Sequence, residues 1–301
     1  MMPLPAELDI ALKAIPALAA WPAKAWQIEQ LGGVTNRNYR LRRRSPGGGG
    51  AIEDDFVLRL PGYGTSSYLN RPAGIYNAMQ AAAIGIAPPV LFSDVNHGWQ
   101  LSRYLSDSRP LEAADLRAPA LRSAIGGLLG RLQRGADAFQ HELRPFAIAD
   151  RYLDLAPQPG LLRLRQAARP IEREIEDAGI PLVPAHIDPN PSNFLLSPDN
   201  RLYLIDWEFS AMADPAWDLA AIALEGDFTA AEAEALLAAA GRQADAPALR
   251  RLDLFRGALC LVASSWAYVE IAAGNDSIDL RYFAERREAA FADWLRILAP
   301  A

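Results

Sequence analysis

Cysteine is nearly absent from this 301-residue chain, and the one present, Cys260, lies in the apolar run GALCLVASSW. No disulfide can form within the chain and no cysteine metal cluster can be built, so the thiol reads as a buried, inert side chain. An excess of positive charge is missing too. The formal net charge is -6, whereas a nucleic-acid partner normally calls for a clustered basic face. The one basic run, Arg40 with Arg42, Arg43 and Arg44, stands just before the glycines Gly47 to Gly50 and reads as the solvated end of a hairpin strand. No apolar stretch reaches the roughly 18 residues needed to span a bilayer. The N-terminus MMPLPAELDIALKAIPALAAW carries acids and prolines where a secretion signal carries a basic start. These absences lead to the expectation of a cytoplasmic protein with no nucleic-acid partner and no transmembrane segment.

What is present is enough for one large domain or two lobes, each with its own core. A hydrophobic fraction of 51% against 22% charged residues fits a folded chain and argues against a disordered one. From Trp26 to Leu60 the pattern is short and strand-like: QIEQLGG, NRNYRLRRR, the breaker-rich SPGGGGAIEDD, then FVLRL. It predicts two antiparallel strands around a flexible glycine tip, with Gly32 and Gly33 at an earlier turn. NRPAGIYNAMQAAAIGI predicts a helix of about four turns with Pro72 near its start, where a missing N–H costs nothing. PPVLFSD and GWQLSRYL predict two further strands. The remainder changes character: APALRSAIGGLLGRLQRG, LLRLRQAARPIEREIEDAG, AEAEALLAAAGR and LDLFRGALCLVASSWAYVEIAA all show helical spacing. Among them, NFLL and LYLID flank the turn SPDN as a strand hairpin inside a helical region. The expected class is α+β, with a small antiparallel sheet lobe over residues 1–104 and a larger, mainly helical lobe over residues 105–301.

Phosphoryl transfer needs a carboxylate that orients the attacking hydroxyl and takes its proton, and oxygen ligands that hold Mg²⁺ against the nucleotide phosphates. Protein kinases supply these from a loop H-R-D-x-x-x-x-N, followed by a strand hairpin and a metal-binding aspartate. This chain reads His186, Asp188 and Asn193 in AHIDPNPSNFLL, then the predicted hairpin, then Asp206 in LIDWE. A plainer reading is that Asp188 and Asn193 only fix a proline-rich turn through local side-chain hydrogen bonds. Asp206 weighs against it, because its register would bring three oxygen-bearing side chains to one point. Downstream, in SAMADPAWDLA, Asp214 can cap a helix. Asp218 would sit near the core, where its oxygens need partners.

Together HIDPNPSNFLL, LIDWEFS and DPAWDLA resemble the aminoglycoside phosphotransferase and choline kinase superfamily, whose members have a bilobal protein-kinase-like fold. Within it, LGGVTNRNYRL, FVLRLPGYGT and LNR are most similar to bacterial choline kinases of the choline/ethanolamine kinase family, over about Leu31 to Glu225. The resemblance implies that Asp188 is the catalytic base, that His186 supports its loop, that Asn193 and Asp206 hold Mg²⁺, and that Asp218 braces the loop backbone. It implies ATP as phosphate donor, bound by Gly32, Gly33, Thr35, Asn36 and Arg59, with Ser102 and Tyr104 where the chain leaves the small lobe. Glycines allow close approach to phosphates, and the fixed charge and fork of Arg59 suit them. One departure stands out. The family pattern pairs that strand cation with a glutamate at the position of Gly74, and from Phe56 to Ser93 there is no Asp or Glu at all. Either Arg59 is held by the nucleotide and by polar groups such as Asn70, or activity is impaired.

A quaternary ammonium donates no hydrogen bond, so its site needs aromatic faces and carboxylates. Downstream of the loop the chain offers Trp207, Glu208, Trp217, Glu225, Trp266, Tyr268 and Tyr282. Trp207 and Glu208 follow the metal aspartate directly and are expected beside the reacting phosphate. With Glu225 and Trp266 they form the expected substrate set, while Trp217 reads as core packing. The expected activity is ATP- and Mg²⁺-dependent phosphorylation of a small cationic alcohol such as choline, by a monomer or homodimer. Thiamine kinase and aminoglycoside or sugar-alcohol kinases share the loop and stay open, as does a nucleotide-binding pseudokinase supported by Gly74 alone.

Overall fold

Alternating apolar positions in the first hundred residues build one antiparallel sheet in the computed structural model, which describes residues 4–33, 35–44, 52–62, 69–275 and 279–298. The strands β1 (Gln27–Leu31), β2 (Asn36–Arg44), β3 (Ile52–Pro61), β4 (Val90–Asp94) and β5 (Trp99–Arg103) run in the order β1-β2-β3-β5-β4. Tyr39 and Leu41 of β2, with Phe56, Leu58 and Leu60 of β3, alternate onto one buried face, as a period of two requires. Two N-terminal helices, α1 (Ala6–Ala14) and α2 (Pro16–Ala19), cover that face with Leu8, Leu12, Ile15 and Leu18. The sequence reading gives these helices no place, although Leu8, Ala11, Leu12 and Ile15 recur at helical spacing.

The arginines of β2 are not a solvated strand end. Arg40 donates to both oxygens of Asp55 (2.9 and 2.6 Å), Arg43 pairs with Asp54 and Glu53, and Arg42 reaches Glu29 at 3.2 Å. Arg40 also lies 3.6 Å from the ring centroid of Tyr104, and Arg43 lies 4.0 Å from that of Trp21. These cross-strand pairs explain why the IEDD segment, expected inside a breaker-rich turn, already belongs to β3. The glycine tip itself falls outside the described residues.

The predicted helix is α3 (Arg71–Ala83), and Asn70 caps it by accepting the Ala73 N–H at 3.3 Å. Asn70 therefore serves the helix and not Arg59. The buried face of α3, Ala78 and Ala81, joins the larger core of the chain and not the core of the sheet.

That larger part begins with β6 (Arg109–Pro110), α4 (Pro119–Gly135), α5 (Pro145–Leu155), α6 (Pro159–Ala167) and α7 (Arg169–Asp177). The segment LLRLRQAARPIEREIEDAG is thus two helices, broken at Ala168 just ahead of Pro170, which has no N–H to continue α6. Next come β7 (Val183–Ala185), the hairpin β8 (Phe194–Leu196) and β9 (Leu202–Leu204), and β10 (Ala211–Ala213). The chain ends in α8 (Ala216–Glu225), α9 (Ala230–Ala239), α10 (Ala246–Ala272) and α11 (Leu280–Leu298). The hairpin stands where NFLL and LYLID place it, with Phe194 opposite Leu204.

One expectation needs correction. Helix α10 is long and apolar enough, by length and composition, to cross a bilayer, yet most of that stretch is buried inside the fold. It is used as the core helix of the helical part, and burial pushes the thiol of its Cys260 up to about 11.

Helix α4 crosses α9 at glycines: a Cβ on Gly130 would lie 2.4 Å from the carbonyl oxygen of Ala240, and one on Gly126 2.8 Å from the Ala239 Cβ. Gly130→Ala is expected to cost about 1–3 kcal/mol through the forced separation of the two helices. Urea unfolding checks it, and an unchanged midpoint would contradict the close crossing.

Candidate active site

The loop after β7 is held from below by one buried carboxylate. Asp218, in the first turn of α8, is fully buried and accepts the N–H groups of His186 (2.7 Å) and Ile187 (2.9 Å). Ile187 has φ of 76°, which is costly for a β-branched residue and persists only when its surroundings over-determine it. Here they do: Asp218 holds its N–H, and the indole of Trp217 donates to its carbonyl at 2.9 Å. Burial lifts the Asp218 carboxyl to about 6, against the pull of the two amides. His186 places Nε2 2.8 Å from the Ile205 carbonyl, and burial pulls its imidazole down to about 4, so it stays neutral.

The reversal at Ile187 delivers Asp188 to the cleft. Asn190 Nδ2 donates to Asp188 Oδ1 at 2.6 Å, and Asn193 Nδ2 donates to the Asp188 carbonyl at 2.9 Å. Burial first, then the charges of Asp206 and Glu225, push the Asp188 carboxyl up to about 7. Because Asn193 spends Nδ2 on the loop, its Oδ1 is the atom left for a cation. Asp206, at the end of β9, has φ of 67° and lines the same cleft as Asp188 and Asn193. Burial raises its pKa, and Arg59 opposes the rise. The Arg59 guanidinium lies 3.8 Å from Asp206 and donates to Gln100 Oε1 at 3.0 Å.

The glycine at position 74 has a packing reason. A Cβ there would stand 3.0 Å from Glu208 Cα and 3.2 Å from the Trp207 carbonyl oxygen. Helix α3 lies directly on the turn that follows Asp206, and any side chain at 74 would have to push that turn back by a few tenths of an ångström. The partners of Arg59 come instead from Gln100 and Asp206.

Two members of the expected substrate set, Trp207 and Glu208, line the cleft but have their polar groups engaged by the protein itself. Trp207 is 2% exposed, donates to the Leu204 carbonyl at 2.9 Å and meets His186 and Phe139 edge-on, so it belongs to the core. Glu208 is buried against the end of the glycine loop, where Thr35 Oγ1 and Asn36 Nδ2 both donate to its carboxylate. Burial and the charge of Asp206 push Glu208 up to about 8. Arg71 in turn donates to Asn36 Oδ1 at 2.9 Å. The end of the glycine loop is therefore tied to the residue two beyond Asp206. Residue 34 of that loop lies outside the described residues.

One cleft of about 930 Å³ joins these groups. Its lining includes Gly32, Gly33, Arg59, Ser102 and Tyr104, then Asp188, Asn193 and Asp206, and also Glu225, Trp266, Phe283 and Arg287. Glu225 is ion-paired with Arg287, and Trp266 meets Phe283 edge-on with centroids 6.5 Å apart. Trp217 is fully buried and lines the cleft from the core, while Tyr268, which donates to Glu288 at 3.0 Å, and the exposed Tyr282 are not among the lining residues. Gln100, Phe283 and Arg287 were not singled out from sequence. Arg287 and Phe283 sit at helical spacing in LRYFAERREAAF, a signal for α11 but not for a site.

The donors fit Mg²⁺. Among the described residues no group of three or more His, Cys, Asp or Glu could hold a metal by itself. Asp206 and Asn193 offer two hard oxygens, and Mg²⁺ at nucleotide sites takes its other ligands from phosphates and water.

The family model for the phosphotransferase enzyme family (APH) matches residues 27–255. Protein LicA of Haemophilus influenzae is 29% identical over 278 residues, covering 87% of this chain and 78% of that protein. The solved choline kinase LicA of Streptococcus pneumoniae is 26% identical with a TM-score of 0.81, over 97% of this chain and 99% of the other. A choline/ethanolamine kinase family protein of Mesorhizobium loti is 27% identical with a TM-score of 0.78, over 97% and 98%. The α+β fold, an antiparallel sheet followed by a mainly helical part, is the fold of these kinases.

Restoring an acid at position 74 should harm this protein. Gly74→Glu is expected to cost about 1–3 kcal/mol by driving α3 off the Trp207–Glu208 turn. Thermal unfolding reads it, and a variant as stable as the parent would remove the packing account of this glycine.

Proposed function

This chain belongs to the phosphotransferase enzyme family and transfers phosphate to an alcohol, and on that premise we propose that it moves the γ-phosphate of ATP to the hydroxyl of choline or a closely related amino alcohol. The observation that supports this reading is a single cleft lined by Asp188, Asn193 and Asp206 together with the Glu225 carboxylate and the Trp266 ring; the last two form its acceptor end in this reading. Residues 1–104 form the nucleotide-binding lobe in this reading, and residues 105–301 supply catalysis and the acceptor site. Gly32, Gly33 and Arg59 hold the phosphates, while Ser102 and Tyr104 border the base.

Asp188 receives the acceptor hydroxyl as a hydrogen bond and takes its proton as the oxygen attacks in line with the leaving phosphate. Asn190 and Asn193 hold it at the correct angle before substrate arrives. Asn193 and Asp206 would hold Mg²⁺, which supplies positive charge against the phosphate oxygens. Arg59 adds a fixed cation that needs no helix carboxylate to stay charged. A cationic head finds an aromatic face in Trp266 and a carboxylate in Glu225.

A small monocation suits this end better than an aminoglycoside, whose several amines call for several carboxylates. The glycine at position 74, the one argument for a pseudokinase, is accounted for by packing. The reading includes a cytoplasmic location, where ATP is available, and a monomer or homodimer.

Turnover should be found in an ATP-consumption assay across choline, ethanolamine, thiamine and aminoglycosides, with choline or ethanolamine the preferred acceptor, and EDTA should abolish it. Asp188→Ala should lower kcat by a factor of about 10²–10⁴ with nucleotide affinity largely kept. Full turnover in that variant would remove Asp188 from its role.

A further inference from the structure

The acceptor end of the cleft already contains a cation. Arg287, on α11, forms an ion pair with Glu225, the last residue of α8. Its guanidinium carbon lies 5.2 Å from the centroid of Phe283, and Phe283 in turn meets Trp266 edge-on. All four residues line the cleft. A carboxylate beside aromatic rings is what a small organic cation needs, and here the guanidinium of the chain itself holds that carboxylate.

The charges around the pair are assigned. Glu288 accepts from Tyr268, and Arg286 lies over the exposed Tyr282 at 5.8 Å. Cys260, near Arg287 on α10, is a buried neutral thiol. Among the described residues Arg287 is the one cation within ion-pair distance of Glu225. The side chains of Arg287 and Glu225 keep 19% and 28% exposure, so the pair borders open space, and Arg287 also hydrogen-bonds the Cys260 thiol.

We propose that Arg287 is a specificity-determining residue: it occupies the Glu225 carboxylate as an internal stand-in for the cationic group of the acceptor and must release it before a compact monocation is seated. The inference rests on the acceptor class argued above and adds the residue that sets the threshold for it. An arriving ammonium gains Glu225 only in the fraction of molecules whose Arg287 has let go, so its apparent affinity is reduced by that fraction. A neutral alcohol cannot displace the guanidinium and finds the carboxylate taken. Selectivity then comes from competition for one carboxylate, as much as from the contacts made afterwards.

Tetramethylammonium tests this, because it has the cationic head and no hydroxyl and its binding is read without turnover. Calorimetric titration of the full-length protein should show that Arg287→Leu and Arg287→Gln each bind it about tenfold more tightly than the parent. Arg287→Lys should fall between them and the parent. Adding Glu225→Gln to Arg287→Leu should erase the gain, as a coupled pair requires. Two charge-removing variants are used so that one failing to fold leaves the other to decide. Equal or weaker binding in the folded variant overturns the inference. Turnover is the separate arm: a parent protein that phosphorylates neither choline nor ethanolamine overturns the proposed function, while the tetramethylammonium comparison still decides the role of Arg287.

Discussion

Everything in the cleft depends on one buried carboxylate and the two amides it accepts. Among the described residues Asp218 has no cation beside it; its oxygens are filled by the N–H groups of His186 and Ile187. A charge-assisted bond of this kind is stronger than a neutral one, and two of them hold Ile187 at a φ of 76° that the chain would otherwise leave. That reversal sends residue 188 away from the core while its neighbours stay in it: His186 is fully buried and Ile187 is 9% exposed. The strain is local, and the over-determination around it is what keeps Asp188 aimed into the cleft before any ligand binds.

The second constraint is the contact between the two parts of the molecule. In a kinase-like fold the small lobe can orient the phosphate-binding cation through a helix glutamate. Here α3 carries a glycine and lies on the backbone of Trp207 and Glu208. Contact across the cleft is carried instead by Glu208, which accepts from Thr35 and Asn36. The result is continuous: the turn that follows Asp206 touches α3 by its backbone and the glycine loop by its side chain. A shift of the glycine loop is therefore felt two residues from Asp206.

Much of this was legible in the sequence, for a physical reason. Asp188, Asn193 and Asp206 stand at fixed spacing on a loop and hairpin whose geometry is local, so register alone brings them together. The β-sheet and α3 were legible for the same reason, through periods of two and of about 3.6. Adjacency in sequence was a poor guide to side-chain direction. Asp206 takes a left-handed φ of 67°, and the chain turns so that Trp207 enters the core and Glu208 faces the glycine loop. No residue pattern announces that turn. Arg287 was out of reach because it meets Glu225 only through the packing of α8, α10 and α11, and α11 was not assigned from sequence. The acids of β3 were misread because their partners, Arg40 and Arg43, are supplied by the opposite strand.

The distribution of arginines along the cleft separates the roles of its carboxylates. Arg59 stands 3.8 Å from Asp206, and Arg287 pairs with Glu225. Between them, among the described residues, no ion pair reaches Asp188; its partners are the side-chain amides of Asn190 and Asn193. Those groups orient a carboxylate but do little to hold it ionised, while burial and the flanking acids lift it to about 7. A carboxylate lifted in this way accepts a proton at little cost. Among the described residues Asp188 thus differs from Asp206 and Glu225 in having side-chain amides, and no guanidinium, as its partners.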